Sequence, residues 1–225
     1  GQIDLFIFNI AANSSNRLTN DPADDFDPSF IKNSRQIIFS SNRWGDTLRT
    51  NTNITQKQAP TFDLYIYHYK KGNPNVLSKV VNTEYSNESK PVELGPNIYA
   101  YLSDKNGIIN KHIARYDSTI SYIDTTTHYR YFTQSYPLSN YDKNLVDFSV
   151  DTRSLHQAEL FYSHGEYQLQ HDKLNTRRAA MEGDFRPTDF YKWRKKRIDQ
   201  TDSLQRKPEP KKEEPMVSLD KLQGI

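Results

Sequence analysis

The sequence lacks several features that would point to catalysis. Its 225 residues contain no cysteine, which excludes a disulfide framework, a thiolate nucleophile and a cysteine-ligated metal centre in this chain. None of its eight glycines lies in a G-x-S-x-G nucleophile elbow or in a glycine-rich phosphate loop. No stretch of 18 apolar residues could cross a bilayer as a helix. The sequence therefore predicts no catalytic residue and no cofactor site.

An excess of charge of one sign is also absent. The chain has 30 Lys and Arg against 28 Asp and Glu, a net charge of +2, so nucleic acid is not an expected partner. The basic residues are concentrated late in the chain, and residues 177–206 contain nine of them against five acidic ones. We expect a basic helical segment over residues 174–206. Residues 207–225 are expected to form a charged, proline-containing linker or to begin a further module.

Aromatic residues, in contrast, are abundant. The chain has 15 Tyr and 11 Phe, which favour pleated, half-buried surfaces over helical cores. The aromatic run DLFIFNI at Asp4–Ile10 returns as DLYIYHY at Asp63–Tyr69 and more weakly as NKHIARY at Asn110–Tyr116. Such nearly continuous apolar runs predict strands that are covered on both faces.

These runs belong to a larger repeat. The segments QIIFSSNRWGD and NIYAYLSDKNG precede the second and third runs, and AELFYSHGEYQLQHD repeats the strand, turn, strand order with a His-Gly reversal. Without the polar insertion after Trp44, the repeat approaches the ~40–45 residues of a four-stranded propeller blade. We predict an all-β fold over residues 1–173, forming about three and a half blades of a β-propeller that has about six to eight in all.

Residues 4–46, DLFIFNIAANSSNRLTNDPADDFDPSFIKNSRQIIFSSNRWGD, carry a more specific pattern. The pattern combines a D-hydrophobic-Y/F-hydrophobic strand, an L-T-N segment, a D-x-x-P-S-F strand and an I-x-F-x-S-N/D-R strand, and it resembles the repeat of TolB-like β-propellers. The resemblance is weaker but in phase to about Asp172 and does not cover residues 173–225. It implies a periplasmic or outer-membrane-associated propeller of a Gram-negative cell envelope, which binds proteins and has no chemistry of its own.

Four aspartates lie within seven positions between two predicted strands: Asp21, Asp24, Asp25 and Asp27. Clustered carboxylates are typical of a calcium site, because this ion takes six to eight oxygen ligands, but Asp and Pro also shape turns. When Pro28 is aligned with Pro91, Lys90 takes the place of Asp27, so a repeated site would have an ammonium group where a ligand should be. We expect a structural turn between blades, with calcium binding as the alternative.

The histidines give a weaker metal signal. His156, His164 and His171 have no H-E-x-x-H spacing. On strands we expect their rings to point to different edges, so zinc is not expected.

Four further side chains are candidate partner-binding residues: Trp44, Arg49, Phe190 and Trp193. The first two begin the long polar insertion, and loops that interrupt a repeat often carry recognition residues. The other two lie three positions apart on the predicted helix, for which Thr188 or Asp189 is the expected N-cap. Either this aromatic pair contacts a partner or the anionic membrane surface, or it docks on the propeller, and docking is the favoured interpretation.

The predicted function is that of a non-enzymatic protein-binding or scaffold module. One alternative is the gating or substrate-selecting propeller of a serine peptidase whose catalytic domain lies outside this chain. Another is a glycan-binding propeller, in which Trp44 and the many tyrosines stack on sugar rings. The run DLFIFNI should be the third strand of its blade, so we expect strands from the parent protein or from another chain to cover it.

Overall fold

A computed structural model describes residues 2–48, 58–70, 75–176 and 185–205. Over these residues the chain is mostly β, which confirms the predicted all-β class. It forms four antiparallel sheets and one helix. The elements are β1 (Phe6–Asn9), β2 (Ser14–Arg17), β3 (Asp25–Ile31), β4 (Gln36–Ser41), β5 (Asp63–Tyr67), β6 (Ser78–Val81), β7 (Glu88–Gly95), β8 (Ile98–Ser103), β9 (Asn110–Ile123), β10 (Thr127–Pro137), β11 (Leu145–Asp151), β12 (His156–Ser163), β13 (Glu166–Lys173) and α1 (Asp189–Gln205).

Each sheet is a meander in which every strand pairs with the next strand of the chain. Strands β3 to β6 form one four-stranded sheet and β7 to β10 a second, while β1 and β2 form a pair and β11 to β13 a three-stranded sheet. The first strands of successive sheets, β3, β7 and β11, lie side by side. The predicted His-Gly reversal joins β12 to β13, with both of its residues at positive φ.

The core is divided among the interfaces between neighbouring sheets. Ile38 and Leu64 of the β3–β6 sheet pack against Tyr99 and Tyr101 of the β7–β10 sheet. The next interface brings residues of β8 against residues of β11 and β12: Ala100, Leu102, Leu145, Phe148 and Phe161. Because the sheets stack on each other, an inner strand loses water on both of its faces.

The two best copies of the aromatic run have different environments. All five residues of β5 are buried, as predicted, because this sheet has a neighbour on each face. The prediction for β1 is wrong in part, since Phe6 is 61 % exposed and Phe8 58 % exposed. Only the Leu5 side of this two-stranded sheet packs on a neighbour, so the other face stays in water.

A long hairpin arm, which was not predicted from the sequence, extends from the β7–β10 sheet. Strands β9 and β10 have 14 and 11 residues, whereas β8 has six, so the hairpin extends well beyond its sheet. Ile120, Tyr129 and Tyr131 are exposed on this arm. The alternating segments STISYI and HYRYF were the available signal for such a hairpin.

Three junctions between sheets are closed by the same pair of hydrogen bonds, which we call the strand clasp. The side-chain oxygen of one residue accepts the backbone N–H of a partner residue. The residue that follows the acceptor in the chain then donates its own backbone N–H to the carbonyl of the same partner residue. The side-chain bonds join Asp24 to Ile3 (3.0 Å), Asn87 to Phe62 (3.2 Å) and Asn144 to Ile109 (2.8 Å). The backbone bonds join Asp25 to Ile3 (2.9 Å), Glu88 to Phe62 (2.8 Å) and Leu145 to Ile109 (3.0 Å).

The clasp confirms the predicted alignment of the aspartate stretch with residues 84–91. Asp27 and Lys90, which that alignment pairs, both have a φ of 50°. The Lys90 N–H also donates to the Asp27 carboxylate at 3.1 Å. The carboxylates of Asp24 and Asp27 therefore accept hydrogen bonds from backbone N–H groups at a junction between sheets.

Replacing Asp24 tests the structural role of the clasp. Asp24→Ala should lower the free energy of unfolding by about 0.5–1.5 kcal/mol, because the exposed Ile3 N–H loses its protein acceptor. Asp24→Asn is the matched control and should stay within about 0.5 kcal/mol of the parent, since asparagine fills this position in the other two clasps. Chemical denaturation with and without calcium is the measurement. A loss in Asp24→Asn that appears only with calcium would instead favour the calcium alternative.

Candidate functional site

The loops that follow β4, β6 and β8 lie on one face of the sheets, and helix α1 lies across them. Between the helix and the loops there is a cavity of about 580 Å³. Its lining includes these side chains: Trp44, Lys79, Asn82, Glu84, Tyr85 and Asp199. The cavity therefore brings Trp44, a predicted partner-binding residue, close to helix α1.

A buried ionic cluster positions Trp44. The guanidinium group of the preceding residue, Arg43, donates to Asp21 at 2.8 Å and to Asp25 at 2.6 Å, and its Nε donates to Ser41 at 2.8 Å. All four side chains are buried. The carbonyl of Arg43 accepts from the Tyr65 hydroxyl at 2.9 Å. Trp44 follows this fixed residue and is 54 % exposed.

The same cluster accounts for the other two aspartates of the predicted site. Burial raises the pKa of Asp21, although Arg43 acts in the opposite direction. One oxygen of each carboxylate, Asp21 Oδ1 and Asp25 Oδ2, is buried without a hydrogen bond among the described residues. Across the described ranges, no group of three or more His, Asp or Glu side chains could hold a metal ion. The aspartates thus face an arginine and backbone amides.

An ion pair and a hydrogen bond also line the cavity. Lys79 pairs with Asp63 at 2.8 Å, and burial raises the pKa of Asp63. The Tyr85 hydroxyl donates to Asp199 of the helix at 2.8 Å, which raises the pKa of this tyrosine. Lys195 lies over the Tyr85 ring, 4.9 Å from its centroid. These contacts tie the second half of α1 to the β6–β7 loop.

The first turn of α1 is fixed by its N-cap, which is Thr188, one of the two predicted candidates. Its Oγ1 accepts the Tyr191 N–H at 3.2 Å, and its own N–H and hydroxyl both donate to the Asn106 carbonyl at 2.8 Å. One turn later Arg194 forms an ion pair with Asp104. The β8–β9 loop therefore holds the start of the helix.

A buried histidine lies beneath the residues that lead into the helix. The His112 ring packs edge to face on Phe185, with 5.4 Å between the ring centroids, and it also contacts Tyr101. Burial lowers the pKa of His112 to about 3, with a smaller contribution from Lys105. The ring is therefore neutral at ordinary pH, and it forms part of the surface on which Phe185 packs.

The predicted docking of the helix aromatics is wrong. Phe190 is 55 % exposed and Trp193 52 % exposed, and their rings stack on each other with centroids 5.9 Å apart. The helix docks through Arg194 and Ile198, which lie on another side of the α-helical turn. Arg197 extends the exposed pair, since its guanidinium lies 5.1 Å from the Trp193 ring. We call Phe190, Trp193 and Arg197 the aromatic ladder.

Arg49 and residues 207–225 lie outside the described residues. His156 and His171, expected at different edges, are neighbours on β12 and β13, with ring centroids 5.2 Å apart. The antiparallel register brings them together, while His164 lies in the turn between these strands.

Among the described residues, no helix is both long and apolar enough to pass through a bilayer. No protein-family model matches the chain, and no curated protein is detectably similar to it.

The Arg43 cluster should be essential for stability. Arg43→Met should lower the free energy of unfolding by about 3–5 kcal/mol, because two carboxylates lose their buried counter-ion. The control Arg17→Met breaks the more exposed pair with Asp4 and should cost at most about 1 kcal/mol. Without the guanidinium the pKa of Asp21 rises further, so the deficit of Arg43→Met should shrink as the pH falls through this raised pKa. Denaturation curves at neutral and acid pH measure both effects.

A glycine pair tests whether the N-cap holds the helix in place. In Gly107→Ala the new Cβ would collide with Thr188 Oγ1, whereas Gly165→Ala meets no atom within 4 Å. Both glycines have positive φ, so both substitutions cause backbone strain of about 1 kcal/mol. Only Gly107→Ala should speed hydrogen exchange in α1, as measured by mass spectrometry. Equal exchange in the two variants would contradict the assigned contact.

Proposed function

We propose that this chain is part of a TolB-like β-propeller and acts as a non-enzymatic protein-binding or scaffold module in a Gram-negative cell-envelope protein, periplasmic or outer-membrane-associated. The strand clasp is the observation that supports the propeller architecture, because the same pair of hydrogen bonds repeats at three successive junctions. Four-stranded meanders repeated around an axis are characteristic of propellers. The cell-envelope assignment is supported by the resemblance of residues 4–46.

In this interpretation the sheets are blades at different stages of completion. The two four-stranded sheets are whole blades, β1 and β2 are the outer half of a preceding blade, and β11 to β13 are three strands of a following one. Phe6 and Phe8 of β1 are exposed, and so is every residue of β13. Exposed apolar strands and open edges associate readily. We propose that strands from the parent protein or from another chain cover them.

The aromatic ladder is the surface that we assign to a protein partner. Tryptophan and arginine are enriched among the residues that dominate binding energy at protein interfaces, and the ladder presents both beside Phe190. The exposed residue Lys196 adds positive charge to that of Arg197, whereas Lys192 pairs with Asp189. A partner with acidic side chains around an apolar centre would complement this surface.

A photo-crosslinking amino acid at position 193 tests this assignment in an envelope extract of the source organism. We expect one crosslinked protein, and Arg197→Ala should reduce its yield by about tenfold or more, because a central interface residue contributes about 2 kcal/mol or more. The control carries the crosslinker at Tyr129, an exposed residue of the β9–β10 arm.

Two outcomes would reject the protein-binding proposal. One is a crosslinked protein whose yield does not depend on Arg197. The other is the absence of protein crosslinks together with sedimentation of the chain on vesicles of anionic lipid, which would show that the basic helix contacts a membrane surface instead.

A further inference from the structure

We propose that the cavity beside Trp44 is a binding site for a neutral saccharide of one or two sugar rings. This site is separate from the aromatic ladder and does not depend on the protein partner proposed above. Its volume of about 580 Å³ falls within the range of about 300–1,000 Å³ found for small-ligand sites.

The cavity is built on parts of the fold that are complete. Its lining comes from the ends of the β3–β6 sheet, the β6–β7 loop and α1, so it requires none of the strands that β1 and β13 lack. Arg43 is fixed by Asp21 and Asp25 on one side, and Tyr85 is tied to Asp199 on the other. The walls are therefore held by buried or paired side chains before any ligand arrives.

Trp44 supplies the apolar surface that a sugar ring needs. The indole is 54 % exposed although the residue before it is buried. The face of an aromatic ring attracts groups that carry partial positive charge, and the C–H groups on one face of a pyranose are of that kind. Tyr85 provides a second ring in the same lining.

The polar lining favours a neutral, hydroxyl-rich ligand over an anion. The cations Arg43 and Lys79 already pair with carboxylates, and Glu84 adds a further carboxylate. A small anion would require a clear excess of positive charge, which this lining lacks. A sugar hydroxyl both donates and accepts, so it needs both kinds of partner. The exposed side chains of Asn82 and Glu84 supply donors and acceptors together.

Fluorescence offers a direct test, because Trp44 and Trp193 are the only tryptophans in the chain. In a Trp193→Phe background Trp44 is the sole indole. We would titrate this variant with maltose, lactose and N,N′-diacetylchitobiose. At least one disaccharide should change the emission saturably and protect Trp44 from acrylamide, with a Kd of about 1 mM or lower. A tetralysine peptide tests the alternative that the cavity binds a cationic ligand.

Variants in the lining decide whether the signal comes from this cavity. Asn82→Ala and Glu84→Gln should each weaken binding by about fivefold or more, because alanine removes a hydrogen bond and glutamine replaces a charge-assisted bond by a weaker neutral one. Both residues are exposed, so thermal melting should be unchanged. Thr152→Ala, which lines a different cavity, is the control and should bind like the parent.

The proposal would be overturned by any of three results. These are no saturable response to the three disaccharides, a response that Asn82→Ala and Glu84→Gln leave intact, and saturable binding of tetralysine in place of the sugars. Crosslinking at position 193 should be unaffected by Asn82→Ala, so this test can fail or succeed independently of the proposed protein partner.

Discussion

The strand clasp is the interaction on which the rest of the structure depends. A side-chain oxygen at positions 24, 87 and 144 accepts the backbone N–H just before a strand of the preceding sheet. Each sheet is thereby fixed to its neighbour at the same point, and the sheets stack with apolar residues between them. The loops that follow β4, β6 and β8 consequently emerge on one face. That shared face contains the cavity and helix α1.

The residue after each clasp shows how the fold tolerates polar groups in its interior. Asp25 pairs with Arg43, so its charge is compensated where water is excluded. Glu88, the equivalent residue, accepts hydrogen bonds from the hydroxyls of Thr83 and Ser103, and burial raises its pKa well above the ordinary value. The third copy is Leu145, which needs no partner. The backbone bond is kept in all three because it does not depend on the side chain.

Helix α1 shows how docking and exposure are divided on one element. Its polar residues make the specific contacts, through the Thr188 cap, the Arg194 ion pair and Asp199. Its largest apolar side chains, Phe190 and Trp193, remain in water. This arrangement is the reverse of an ordinary amphipathic surface helix, which buries its apolar face.

The sequence alone determined the all-β class, the repeat and its phase, the His-Gly turn and the N-cap of the helix, because period, turn chemistry and capping are local properties. It also located Trp44 as an exposed aromatic residue. Only the tertiary structure decided that β5 is buried while β1 is not, and that Asp21 belongs with Arg43. The tertiary structure alone also decided which side of the helix docks and where the cavity lies. These features depend on which surfaces meet in space, and identical local patterns give different burial when one sheet has two neighbours and another has one.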